Sequence, residues 1–171
     1  MPEINLAILK VLVVDHSAHM VAIQRDLLRR LGIKSVVEAG DAETAWAALA
    51  REEFDVILVE QELTPIDGIA LVSRLRRDAE QANRNKPVIM LTAGTDSTRI
   101  LKARDAGVSE FIKKPISAQV LSSRIMQAVR NPRPFVEAAA YTGPDRRRRA
   151  LDVPADHDRR RQTSKAAESG E

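Results

Sequence analysis

The chain has 171 residues, 44% hydrophobic and 30% charged, with a net charge of +3, the make-up of an ordinary folded domain with some extra length. It contains no cysteine, which excludes a disulfide framework and thiolate metal centres, and no apolar run nears the ~18 residues of a membrane span. Aromatic residues make up only 3%, so the core must be aliphatic. The stretch 1–9 has neither the basic start nor the long apolar core of a secretion signal, and the expected location is the cytoplasm.

Lys10 to Val14 is a short apolar run ending at Asp15, which reads as a strand buried on both faces. From Ala18 to Leu31, the residues Met20, Ile23, Leu27, Leu28 and Leu31 recur at helical spacing, and Gly32 fits a helix stop. Ser35 to Ala39 reads as a second strand. Asp41 can cap the next helix, which carries Ala42, Ala45, Trp46 and Leu49; Thr44 in third position makes no capping box. Asp55 to Val59 is a third buried strand, ending at Glu60. After the loop Gln61 to Gly68 comes a helix through Leu71, Val72 and Leu75, then a polar connector from Asp78 to Lys86. Pro87 to Leu91 is a fourth strand and Thr95 to Ala106 a helix stopped by Gly107. Glu110 to Ile112 is a short fifth strand, and Ser117 to Val129 a last helix capped by Ser117.

Strands and helices alternate five times and the strands are continuously apolar, which predicts an α/β doubly wound parallel sheet with helices on both faces. Sites in such sheets lie at the carboxyl ends of the strands. Asp15, His16, Glu60, Thr92 and Lys114 fall there. No Ser-His-Asp or metal-binding spacing accompanies them. His16 and His19 read as solvated residues, and His157 as a tail residue.

From Pro132 the character changes. This stretch holds four prolines, nine Lys or Arg and seven Asp or Glu, and it is expected to stay flexible and disordered. The predicted organisation is an extension (1–9), one domain (10–131) and an arginine-rich tail (132–171). The tail has a crude repeat, Tyr141 to Arg149 (YTGPDRRRR) and His157 to Arg161 (HDRRR). A solvated basic tail would meet anionic lipid, nucleic acid or an acidic protein through charge alone. Nucleotide recognition is the sharper alternative: arginine binds the O6 and N7 edge of guanine, stacks on bases and pairs with phosphate. A neighbouring aspartate accepts from guanine N–H groups. The residues placed for that are Tyr141, Asp145, Arg146, Arg147, Arg148 and Arg149, with Asp158, Arg159, Arg160 and Arg161 in the second block.

The stretches VLVVDHSAHM, DVILVEQELTPIDG, VIMLTAG and DAGVSEFIKKPIS together resemble CheY-like receiver domains over residues 10 to 130. The resemblance implies a flavodoxin-like fold with strand order 2-1-3-4-5. It implies a phosphoacceptor position at Glu60, an acidic magnesium pocket at Asp15 and His16, and phosphoryl contacts from Thr92 and Lys114. Phe111 falls at the switch position, and Asp67 and Gly68 match a DG turn. Docking onto a protein partner, such as a histidine kinase or a flagellar motor switch, would use residues from about 95 to 130.

Two positions depart from the pattern. The acidic pair is Asp15-His16 rather than two aspartates, and imidazole suits softer metals than magnesium, which wants hard oxygen ligands. The acceptor is Glu60, one methylene longer than aspartate, which carries its carboxylate toward Thr92 and Lys114. In-line phosphoryl transfer depends on positioning and metal charge. The expectation is therefore a non-enzymatic pseudo-receiver that needs no cofactor, binds magnesium weakly or not at all, and acts by docking. Glu60 either pairs with Lys114 or is an exposed carboxylate with no such role. The run PRPFVEAAAYTGPDRRRR is similar to the tails of CheY-like cyclic-di-GMP effectors, which makes a dinucleotide effector one alternative. A conventional receiver phosphorylated on Glu60 or another acceptor is the other. The tail is too short and too rich in proline for a DNA-binding helix-turn-helix.

Overall fold

The computed structural model describes residues 3–94 and 96–147. After a short 3-10 turn at Leu6–Ile8, five strands and five helices alternate. They are β1 (Lys10–Val14), α1 (Ala18–Arg30), β2 (Ser35–Ala39), α2 (Ala42–Arg51), β3 (Val56–Glu60), α3 (Gly68–Arg77), β4 (Val88–Thr92), α4 (Ser97–Ala106), β5 (Glu110–Lys113) and α5 (Ala118–Arg130). The sheet is parallel throughout, in the order β2-β1-β3-β4-β5. This is the flavodoxin-like arrangement expected from the sequence, with boundaries within two residues of those predicted.

Alternation along the strands splits the core in two. Leu12, Val14, Ile57, Val59, Val88 and Met90 pack with Leu71, Val72 and Leu75 of α3. Val11, Val13, Val56, Leu58, Ile89 and Leu91 pack on the other face with Leu28 of α1 and Leu121 and Ile125 of α5. These aliphatic side chains are almost wholly enclosed, so truncating one such as Ile57 to alanine would cost about 2–5 kcal/mol. All five α-helices begin at a side-chain cap. Ser17, Asp41, Asp67, Asp96 and Ser117 each accept a backbone N–H from the first turn, worth about 1 kcal/mol apiece. Gly107, at φ +109°, ends α4 in the left-handed region as expected.

Two features differ from the sequence reading. On α1 the fully buried stripe is Val21, Gln24 and Leu28, while Met20, Ile23 and Leu27 are only partly covered. The helix is rotated so that a polar Gln24 enters the core. The segment after Pro132, expected to lack packed structure, forms an antiparallel hairpin of β6 (Phe135–Ala138) and β7 (Tyr141–Pro144). It packs on α3 and α4 through β7, and Gly143 and Pro144 are buried. The reason is a close approach of two glycines. A Cβ on Gly143 would lie 3.1 Å from the Gly107 Cα, and one on Gly107 would lie 2.6 Å from the Arg76 Cγ. The glycines let the hairpin lie flat against the end of α4.

Beneath them, Arg76 is completely enclosed. Its guanidinium donates to the carbonyls of Gly107 (3.0 Å), Arg84 (2.6 Å) and Lys86 (2.7 Å), and burial draws its pKa down to about 10. Arg84 in turn pairs with Glu137 and lies over the Phe135 ring, 5.1 Å from its centre. The hairpin therefore lies against the last turns of α3 and α4, near the end of the sheet at which the strands begin.

Candidate functional site

The register brings the predicted residues together at the opposite end. Val14 pairs with Val59 and Glu60 with Leu91, so Asp15, Glu60 and Thr92 follow one another across neighbouring strand ends. Thr92 pairs with Lys113, and the Lys114 N–H donates to the Thr92 carbonyl at 2.9 Å. The loops are tied to the strands in the same way. Asp15 N–H donates to Ala39, and Gln61 N–H to Leu91. Gly68 N–H donates to the Gln61 carbonyl, and a Cβ at Gly68 would run into the Glu60 carbonyl oxygen. Only glycine lets the first turn of α3 close down on the end of β3.

Asp15 is buried, and both its oxygens are engaged by neutral donors. Oδ1 accepts from Ser17 N–H at 2.9 Å and Oδ2 from the Gln24 amide at 3.1 Å. His16 points outward, half exposed, with Nδ1 4.0 Å from Asp15 Oδ1. A cavity of about 350 Å³ opens beside it, between α1 and the end of β2, and also touches Arg25 and Glu38. Arg25 and Glu38 pair across its mouth at 2.9 Å.

Glu60 is 3% exposed, so it is not the exposed carboxylate of the alternative sequence reading. Lys114 Nζ forms an ion pair with its Oε2, while Oε1 accepts from Glu62 N–H at 3.1 Å. Beyond this ion pair, Oε2 has no other partner. A carboxylate this deep is held only because a cation neutralises it. Thr92 is buried and its hydroxyl is occupied locally, accepting from Gly94 N–H at 3.1 Å. Phe111 on β5 is half buried against the α3-side core. Among the described residues, no three His, Asp or Glu side chains gather around a common point where an ion would sit.

Sequence reasoning missed Gln24 and Arg76. Each left a trace, a polar residue inside an apolar helical stripe, three residues after Val21 and four after Val72.

In the tail, Tyr141, Asp145, Arg146 and Arg147 do come together. They line a cavity of about 440 Å³ with Val136 and Ala138. The Arg146 guanidinium lies 4.3 Å from the centre of the Tyr141 ring and donates to Asp105 of α4 at 2.6 Å. The Tyr141 hydroxyl donates to the Pro144 carbonyl at 2.6 Å, and Arg147 N–H to Asp145 Oδ1 at 3.0 Å. Arg148, Arg149, Asp158, Arg159, Arg160 and Arg161, like Thr95 at the start of the expected docking range, lie outside the described residues.

Comparison with known proteins agrees with this geometry. The profile of the Response regulator receiver domain family matches residues 11–126. Chemotaxis protein CheY-3 of Vibrio cholerae is 34% identical over 117 residues, which cover 68% of this chain and 88% of that protein. Chemotaxis protein CheY of Pseudomonas aeruginosa is 35% identical over 117 residues, 68% of this chain and 93% of that one. A crystal structure of a putative response regulator from Chloroflexus aurantiacus superposes with a TM-score of 0.67 at 25% identity, covering 72% of this chain and 98% of that one. Chemotaxis protein CheY4 of Vibrio cholerae superposes with a TM-score of 0.64 at 24% identity, over 70% of this chain and 97% of that one.

Proposed function

This chain belongs to the response regulator receiver domain family, and from that premise we propose that it is a pseudo-receiver, docking on a protein partner without ordinary aspartyl phosphorylation. As a receiver-domain module it is a signalling protein of the two-component type rather than a classical enzyme. The observation that carries the finer reading is the buried Glu60 carboxylate with Lys114 already on it. In a receiver, the lysine at this position meets the phosphoryl oxygens. Here a carboxylate of the chain itself occupies it.

The donor set argues against magnesium. The single aspartate of the pocket already accepts from Ser17 and Gln24, its neighbour is an imidazole, and the next carboxylate is paired with Lys114. That leaves few of the hard oxygen ligands that magnesium wants. Among the described residues no helix is long and apolar enough to cross a membrane. A kinase or a motor switch are partners suggested by the chemotaxis relatives, through the face formed by α4, β5 and α5.

Incubation with acetyl phosphate and magnesium followed by intact-mass measurement tests this reading. The expected result is no mass gain. A stable, magnesium-dependent phosphoryl group on Glu60 or on another acceptor would make the chain a conventional receiver. In the double variant Glu60→Asp/His16→Asp, the gain is expected to appear.

A second reading has its own observation, the cavity of about 440 Å³ in which an arginine lies over a tyrosine beside Asp145 and Arg147. Cyclic-di-GMP would present stacking faces, guanine edges and phosphates to that set. Calorimetric titration of cyclic-di-GMP into the full chain and into Arg146→Ala/Arg147→Ala decides it. Binding lost in the variant supports a messenger-controlled adaptor, and absence of binding to the full chain rejects it.

A further inference from the structure

The hairpin leaves one strand edge open. The Asp145 N–H donates to the Pro134 carbonyl at 2.7 Å, and bonded and non-bonded partners alternate along an antiparallel pair. Val136 with Gly143 and Ala138 with Tyr141 are therefore the bonded pairs, so the backbone N–H and C=O groups of Phe135 and Glu137 point away from β7. Among the described residues, no backbone group bonds to them.

The two strands differ in how their outer edges are guarded. β7 is the inner strand, packed on α3 and α4, with Gly143 and Pro144 buried. On its far edge Pro144 has no N–H, and the Pro144 carbonyl accepts from the Tyr141 hydroxyl at 2.6 Å. β6 is the outer strand, with Val136, Glu137 and Ala138 exposed. It lacks the lysine or outward-facing proline that usually blunts an edge. Pro134, just before it, belongs to a bonded pair, so its missing N–H is on the β7 side. The single charge of the strand, Glu137, is paired with Arg84.

We propose that the β6 edge pairs with the β6 edge of a second copy of this chain, antiparallel about a two-fold axis at Val136, so that the two hairpins become one sheet. The register follows from the residues. With the axis at Val136, Phe135 of each copy faces Glu137 of the other, and both pairs exchange their free N–H and C=O groups. Val136, 36% exposed, lies against its own counterpart in the closely spaced, non-bonded position. An axis at Glu137 would set like carboxylates opposite each other, and an axis at either Phe135 or Glu137 leaves a single bonded pair within the strand. A second copy is favoured over an unrelated strand because this edge is complementary to itself: the apolar residue meets itself, and each acid keeps its own Arg84. The contact uses the same patch on both copies and the β7 edge is already taken, so assembly closes at a dimer. The strand is short, and association is therefore weak and visible only at high protein concentration.

The test uses the full chain. Sedimentation over about a hundredfold range of concentration is expected to show a reversible monomer–dimer equilibrium. Amide hydrogen exchange should slow at Phe135 and Glu137 as concentration rises, while Val136 and Ala138, bonded within the hairpin, are protected throughout. The chain has no cysteine, so a single one reports the register. Non-bonded antiparallel neighbours have Cα atoms about 4.5 Å apart, within reach of a disulfide. Val136→Cys should cross-link into a dimer about tenfold faster than Glu137→Cys, whose counterpart lies two residues out of register. Val136→Lys sets two ammonium groups on the axis, and Glu137→Pro removes an outward N–H that the hairpin does not use. Each should weaken the dimer by about tenfold or more. Glu137→Ala keeps that N–H and loses only the Arg84 pair, so it should associate like the unaltered chain and guards against a misfolded hairpin. A chain that stays monomeric over the whole range overturns the proposal. So does a dimer indifferent to Val136→Lys and Glu137→Pro, which would belong to another face. Equal cross-linking at positions 136 and 137 overturns the register and the axis with it.

Discussion

The two ends of the sheet handle charge in opposite ways. At the carboxyl end, one cation meets one buried carboxylate and most of the other polar groups find local partners, Ser17 and Gln24 on Asp15 and Gly94 on Thr92, while the buried Gln61 Oε1 has none. At the other end, arginine is in excess. One guanidinium is buried as a structural tie among carbonyls, and others are spread on the surface with fewer carboxylates than cations. The lesson is that charge at the carboxyl end is paired one to one across strand ends. The opposite end has gained exposed guanidinium donors from sixteen or so residues of tail, enough chain for one hairpin and its flanks.

The sharpest way to break this comparison is at Arg76. Arg76→Ala would leave the Gly107, Arg84 and Lys86 carbonyls without their donor, and is expected to cost on the order of 3 kcal/mol or more in urea unfolding. A loss below ~1 kcal/mol would mean that the tie is not structural. At the other end, Lys114→Met leaves the Glu60 charge buried and unpaired, at a cost of about 2 kcal/mol. Adding Glu60→Gln should recover most of it, and a double variant as unstable as the single one would show that Lys114 does not compensate Glu60.

Gly143→Val tests the docking of the hairpin. Its side chain would meet the Tyr141 hydroxyl and Gly107, and the expected loss is about 1–2 kcal/mol. Burial raises the Tyr141 phenol above its ordinary value of about 10, partly offset by the charges of Arg76, Arg146 and Arg133. The phenol is protonated and docked below the unfolded value. Whatever stability it contributes is therefore present there and lost as pH rises through the raised folded value. Tyr141 is the only tyrosine, so phenolate absorbance reports it alone, and in Gly143→Val its midpoint should fall back toward 10. An unchanged midpoint would mean that the hairpin stays docked. The smallest effect is expected for Asp105→Asn, which removes an exposed partner of Arg146 and should change stability by no more than about 0.5 kcal/mol.

What can be read from the chain itself is whatever depends on near neighbours. Runs such as Lys10 to Val14 and Val56 to Val59 are apolar on both sides and can only be interior parallel strands. Asp41 and Ser117 cap because their side chains reach N–H groups three residues on. The residues at the strand ends follow from that alternation, so Asp15, Glu60, Thr92 and Lys114 were legible as one site, and the substitution of glutamate and histidine into it was visible without coordinates. Tertiary structure alone decided the rest. The rotation of α1 that buries Gln24 under Asp15 depends on how a helix packs across a sheet. The depth of Glu60 depends on Gly68 closing over β3. The hairpin depends on Gly143 meeting Gly107, thirty-six positions earlier, and on Arg76 and Arg84 finding carbonyls and a ring from other elements. Local pattern cannot carry these contacts, because their free energy comes from surfaces that become neighbours only when the chain has folded.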